Sequence, residues 1–442
     1  MSRELLQKAH DVIRIAKRAG ALGARASVYR NRNSEVEWLD GRLDRIRQST
    51  SMGVSISLFV DERYSAHSTS DLRPDALESF VTDAVGMTRL LAADPHRKLA
   101  DPAYYANRFE GDLGLYDAPG AASVTGIDRR RTAGALEDSA RSAPGGEKII
   151  TVNSSCSDST YETALVNSNG MEGTARGTSF FLFADVTVRD QGDRRPSGYW
   201  YSVGLHRDNL EPVEVVGRKA TQRALEGIGE QPMESGTYAC VIENRLARRT
   251  LGGLLGALSG NAIQQERSFL AGKIGDEIAS PLFSLTDDPL VVGGFGSRAY
   301  DNEGMTARKL PIFEKGVLRN YYLDTYYASK LGMKPTTGSQ SNLLFTTGDE
   351  DLEGLLRSMG TGILITGLMG GNSNDTTGDF SVGIRGHWIE NGKRVRPLSE
   401  MNMAGNHLES WKHLVEVGND PWRYSAARAP SMRFDELTFS GA

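Results

Sequence analysis

Three glycines spaced four apart, Gly252, Gly256 and Gly260, run beside an apolar stripe made of Leu251, Leu254, Leu255, Leu258 and Ala262. The apolar residues follow the i, i+3, i+4, i+7, i+11 spacing of a single buried helix face. Asn244 stands where an N-cap oxygen would meet an orphan amide of the first turn. The spacing therefore predicts one helix running on from Asn244. A glycine costs a helix about 1 kcal/mol relative to alanine, so three in register need compensation. A residue without Cβ lets another backbone come close, and tight packing is the expectation for this stripe. A groove for a ligand or a partner chain is the alternative.

Upstream, residues 4–19 form an amphipathic helix with Leu5, Leu6, Ala9, Val12, Ile13 and Ala16 on one face. Strand-like runs follow at 24–29, 34–39 and 53–60, with a turn signal at Asp40-Gly41. A second helix starts near Pro74 and reaches about Leu91, with His67 in the connection before it. Residues 92–122, punctuated by Asp94-Pro95, Asp101-Pro102 and Pro119-Gly120, read as a surface linker. The order then recurs: a helix to about Ala143, strands at 148–153, 162–167, 178–189 and 199–203, and a helix over 212–227. The last segment opens with a strand before the glycine-striped helix. It carries hairpins at 311–318 and 388–393, a tyrosine cluster (Tyr321, Tyr322, Tyr326, Tyr327), a strand at 363–368, and a glycine-rich irregular loop at 370–378. The fold class is α+β. Two helix–strands–helix units occupy 1–92 and 121–230, joined by a linker at 93–120, and a strand-rich C-terminal domain spans 231–442.

Several function classes are disfavoured. A formal charge of −5 with pI near 5.9 gives no basic face for nucleic acid. The longest basic run, Arg129-Arg130-Arg131, lies in a helical pattern and reads as a solvated face. Two cysteines, Cys156 and Cys240, make no disulfide framework. The N-terminus lacks a signal-peptide core, and no apolar stretch is long enough to span a membrane. These features lead us to expect a soluble cytoplasmic protein. None of the seven histidines forms His-x-x-x-His or His-Glu-x-x-His. His407 and His413, six apart, diverge by roughly 120° on a helix. There is no Gly-x-Ser-x-Gly elbow and no Gly-Lys-Ser/Thr phosphate cradle.

A series of short blocks follows the glycine stripe in order: Ala271-Gly272-Lys273-Ile274-Gly275, Ile278-Ala279-Ser280, Asp287-Asp288, Asp301-Asn302-Glu303-Gly304 and Lys309-Leu310-Pro311-Ile312. Thr377-Gly378-Asp379-Phe380-Ser381, Met403-Ala404-Gly405-Asn406-His407 and Val417-Gly418-Asn419-Asp420 continue it. In order and spacing this resembles the TldD/PmbA family, proteins related to zinc metallopeptidases and once called modulators of DNA gyrase. The resemblance implies a catalytic TldD type whose helix carries His-Glu-x-x-x-His, the histidines binding zinc and the glutamate serving the attacking water. Counted back from Ala271–Gly275, those positions are Leu251, Gly252 and Gly256. Both cysteines also lie away from the place where the family has a further zinc ligand. The chain is thus similar to the metal-free TldE (PmbA) type.

For that type the resemblance implies a non-catalytic subunit, inactive alone, with no cofactor, no metal ligand and no catalytic residue of its own. Zinc would reside in the partner, a TldD-type peptidase subunit, and the substrate would be a small or unfolded peptide. Neither nucleic acid nor membrane is expected as a partner, and the isolated chain could pair with a second copy. Asp301, Glu303, Asp379, His387, Asn406 and His407 are the candidates for lining the cleft. The alternatives are a stand-alone peptidase with an unrecognised site and a regulator binding a DNA gyrase-related target.

Overall fold

The computed structural model describes residues 2–441. Helix α1 (Ser2–Arg18) buries Leu5, Ala9, Val12, Ile13 and Ala16, the face its periodicity predicts. Strand β1 (Gly23–Leu39) is one strand of 17 residues where two short ones were expected. It turns at Asp40 and Gly41, both at positive φ (46° and 80°) as a type I′ hairpin requires, into β2 (Arg42–Val60). His67 is not in a connection. It belongs to β3 (Arg63–Thr69), opposite Ile56, and its ring bonds Ser65 at 2.8 Å. Helix α2 (Pro74–Thr88) closes this unit.

After the short α3 (Ala118–Ser123), helix α4 (Gly126–Ser142) opens on a capping box between Thr125 and Asp128. Strands β4 (Ile149–Asn167), β5 (Glu172–Val188) and β6 (Ser197–Gly204) lead to α5 (Val213–Leu225). β1 and β4 pair from Arg25↔Asn167 to Leu39↔Asn153. The two helix–strands–helix units therefore share a single six-stranded sheet in the order β3-β2-β1-β4-β5-β6. Ala24, Ala26 and Val28 turn to α1 and α2, and Val152 to α4 and α5. On β1 and β2 the opposite face carries the polar Arg25, Ser27, Ser55 and Ser57.

Strand β7 (Gly236–Ile242) enters the glycine-striped stretch, which is not one helix. It breaks into α6 (Asn244–Thr250), α7 (Gly252–Ala257) and α8 (Gly260–Gln264), with Leu251 in the first break and Ser259 capping α8 through Ala262 N. The apolar stripe survives the breaks, with Leu251, Leu254, Leu255 and Leu258 all buried. Low propensity explains the interruption: three glycines weaken the helix, and a serine favours a cap over an interior position. Asn244 does not act as the expected cap acceptor. Its side-chain amide donates to the Asp420 carbonyl at 2.6 Å, and its backbone N–H to Ser431 Oγ at 3.1 Å.

Next come β8 (Leu285–Asp287), the hairpin β9 (Leu310–Glu314) and β10 (Val317–Leu318), α9 (Thr325–Leu331), β11 (Leu343–Phe345) and α10 (Leu352–Met359). The chain ends with β12 (Gly362–Ser373), β13 (Asp379–Glu390), β14 (Lys393–Asn406), α11 (His407–Ser410), β15 (Leu414–Val417), β16 (Ala427–Arg428) and β17 (Met432–Ser440). One sheet runs β10-β9-β8-β11-β16, the other β14-β13-β12-β7-β17-β15. An additional β14–β17 pairing closes five strands of the second into a barrel. Asn391 and Gly392 turn β13 into β14 with φ of 51° and 72°, the predicted type I′ hairpin. The stretch 370–378 is an irregular connection only over 374–378. Asn372↔Ser381 and Ser373↔Phe380 continue the β12–β13 ladder past a bulge where Gly370 and Gly371 adopt φ of 56° and 102°.

Candidate functional site

The broken helix lies against β12–β14, and its glycines differ in what they face. Close approach holds at Gly260, where a Cβ would stand 2.7 Å from Tyr327 Cβ and 3.1 Å from the Tyr322 carbonyl. A Cβ on Gly256 would stand 2.8 Å from the Asp375 carboxylate, and one on Gly252 would meet nothing within 4 Å. The tightest position lies outside the stripe. A Cβ on Gly253 would collide with both Ser373 Oγ and His407 Nε2. Spacing by fours picks out Gly252 and passes over its neighbour.

His407 is the centre of this contact. It opens α11, is 3% exposed, and lies between the rings of Phe269 and Phe380, centroids 5.7 and 4.8 Å away. Burial pushes its pKa down to about 4, so the ring is neutral at pH 7. Trp411 Nε1 stands 3.2 Å from His407 Nδ1, and Ser373 Oγ stands 3.1 Å from Nε2. An indole N–H can only donate. Nδ1 must therefore accept, the proton resides on Nε2, and Nε2 donates to Ser373. A serine–histidine dyad needs the reverse, an imidazole nitrogen accepting from the hydroxyl. Ser373 is accordingly not activated.

Two other candidates join His407 here. Asn406 caps α11, its Oδ1 accepting from Leu408 N at 3.0 Å, while Nδ2 donates to the Thr377 carbonyl and to Asp379 Oδ1, both at 2.9 Å. Asp379 also accepts from Thr377 Oγ1 at 2.7 Å, and these bonds hold its carboxyl below the usual range. Both residues fasten the end of the β12–β13 hairpin over a mostly apolar cleft of about 190 Å³, lined by Leu368, Val382, Met403, Phe434 and His407.

The remaining candidates lie elsewhere. Asp301 accepts from the Glu303 and Met305 amides at 2.9 and 3.0 Å, closing a tight turn. Glu303 accepts from Thr325 N at 2.8 Å and Thr325 Oγ1 at 2.7 Å, and lies 3.5 Å from Arg25 Nη1. It thereby ties α9 to the N-terminal sheet. Burial raises the pKa of both carboxyls. His387 points from β13 into a third place, the junction with α5 and α6. Leu251 is fully buried in the core.

A zinc ion does not fit these side chains. Leu251, Gly252 and Gly256 offer no donor atom, and both ring nitrogens of His407 are engaged. Among the described residues no three His, Cys, Asp or Glu side chains cluster to hold a metal ion. Sequence reasoning missed Gly253, Ser373 and Trp411. Trp411 had a signal, since it follows His407 by four positions, the spacing that stacks side chains on one helical face.

Three family models match the chain in series: PmbA/TldA metallopeptidase domain 1 over residues 24–88, the central domain over 122–228, and the C-terminal domain over 235–441. Metalloprotease PmbA of Escherichia coli O157:H7 is 28% identical over 423 residues, covering 95% of this chain and 92% of that protein. The crystal structure of a proposed modulator of DNA gyrase from Bacteroides thetaiotaomicron VPI-5482 superposes with a TM-score of 0.95 at 41% identity, covering 99% of this chain and 98% of that one. TldE from Thermococcus kodakarensis shares the fold, with a TM-score of 0.86 at 21% identity over 98% of this chain and all of that one.

Proposed function

The chain belongs to the PmbA/TldD metallopeptidase family, and from that premise we propose that it is the subunit without catalytic zinc in a two-subunit peptidase acting on small or unfolded peptides. One observation carries this: where the catalytic type has its zinc helix, this chain has Leu251, Gly252 and Gly256. His407, the imidazole against Gly253, is neutral, with both nitrogens committed. Such a scaffold can neither polarise a peptide carbonyl nor activate water. A TldD-type subunit supplies the zinc, and this chain contributes a wall of the peptide cleft, with the end of the β12–β13 hairpin as its lip. The two free thiols, Cys156 and Cys240, suit the cytoplasm, the compartment we assign.

The Ser373–His407 contact is the observation that favours a stand-alone hydrolase, and the tautomer imposed by Trp411 argues against it. A gyrase-related target has only a relative's name in its support. The test is assembly. Mixed with the cognate TldD-type protein, this chain should elute as a heteromer on size exclusion, and elemental analysis should find zinc only in the partner. A chain that stays apart, or that retains about one zinc of its own after purification, would overturn the proposal.

A further inference from the structure

A second cavity, of about 330 Å³, lies between the central unit and the barrel, and His387, Arg223, Arg245, Arg249 and Arg385 line it. His387 is 7% exposed, and its buried Nδ1 has no hydrogen-bond partner among the described residues. An unpaired buried polar atom is costly, and few native proteins keep one without a use. Burial lowers the pKa of the ring and keeps it neutral at pH 7.

The charges around it nearly balance. Four guanidiniums face Glu226 and Glu230 across the cavity, and Glu243 behind them is held by Arg223 and Arg245. Arg394, which also acts on the ring, is taken up by Glu353. The surplus is one positive charge, which suits a monoanion better than a phosphate dianion. The cations are held in place: Arg245 donates to the Thr366 carbonyl at 3.2 Å, and Arg385 pairs with Glu230 at 2.7 Å.

Arg249 and Leu368 also line the apolar cleft beside His407, so the two cavities share a wall. Arg249 forms that wall by donating to the carbonyls of Leu368 and Gly370. An apolar recess next to a singly cationic one suits the end of a peptide chain, with a side chain in the first and a carboxylate in the second.

We propose that the second cavity binds a carboxylate, the C-terminal end of a short peptide, with His387 donating a hydrogen bond and Arg249, whose charge faces only carbonyl oxygens, supplying the charge. That the carboxylate belongs to a peptide rests on the function proposed above, whereas the carboxylate chemistry rests on this cavity alone. The full chain is titrated with N-acetyl-Ala-Leu, with its C-terminal amide, and with an amidated peptide carrying an internal glutamate. Calorimetry and the NMR signal of the His387 ring follow binding. The free acid should saturate, bind at least about tenfold more tightly than either amide, and raise the pH at which His387 titrates. His387→Gln and Arg249→Gln should each weaken the acid by about tenfold or more. His387→Gln alone decides if Arg249→Gln does not fold. Equal binding of acid and amide, equal binding of the internal-glutamate peptide, or no saturation by about 10 mM would overturn the assignment. Failure to assemble with a zinc subunit would leave these titrations unchanged, so the two proposals fail separately.

Discussion

Trp411 Nε1 donates to His407 Nδ1 across 3.2 Å, and that contact decides what the imidazole can do. It fixes the proton on Nε2, directs it at Ser373, and leaves no basic nitrogen for catalysis.

The same burial makes a pH prediction. The folded pKa of His407, about 4, lies below its ordinary value near 6.5, so between the two the unfolded chain binds more protons. The stabilisation is fully present above pH 6.5 and is lost as pH falls towards 4, by up to about 3 kcal/mol. His387 is shifted the same way and contributes to the same slope. Urea unfolding should show His407→Gln losing less stability than the parent between pH 7 and pH 4.5. Parallel losses would mean that His407 is not buried as a neutral ring.

Adjacent glycines should respond oppositely. Gly253→Ala places a methyl against Ser373 and His407 and should cost about 1–3 kcal/mol through overpacking and a broken hydrogen bond. Gly252→Ala meets open space and should be neutral or stabilising by up to about 1 kcal/mol. Thermal melts of the two variants check this, and similar melting temperatures would contradict the packing around Gly253.

Glu303 joins the N-terminal sheet to the C-terminal domain through Arg25 and Thr325. Glu303→Ala should remove the partner of a mostly buried cation and two hydrogen bonds, costing about 2–4 kcal/mol. Limited proteolysis should then cut residues 93–117 faster than in the parent. An unchanged cleavage rate would remove Glu303 from that role.

Much of this was legible from the chain alone, because periodicity and turn chemistry are local. The buried face of α1, the Asp40-Gly41 and Asn391-Gly392 turns, and the α+β class follow from spacing and positive φ. Strand length was harder to see. The polar middle of β1, Arg30 to Asn33, falls between the two strand-like runs, yet it is held by pairing with β2 and β4 on both sides. The β4 partners lie more than a hundred positions away, and pairing with them leaves no local mark. The break in the helix at Leu251 was hidden because the apolar stripe persists through it. The candidate residues scattered for a related reason. Asp301, His387 and His407 all belong to the C-terminal domain, but Asp301 lies in the β8–β9 connection, His387 on β13 and His407 at the start of α11, and they reach three separate junctions.

The most direct test is hydrolysis of a short unfolded peptide by this chain, by the cognate TldD-type subunit, and by their mixture, with and without glutamine in place of the partner's motif glutamate. A chain with no metal-holding cluster among its described residues and a locked His407 should be inactive alone, should raise hydrolysis in the mixture, and should lose all of it when the partner carries the glutamine. Hydrolysis by this chain alone, or activity surviving in the mixture with the altered partner, would place catalysis in this chain and contradict its role as the subunit without catalytic zinc.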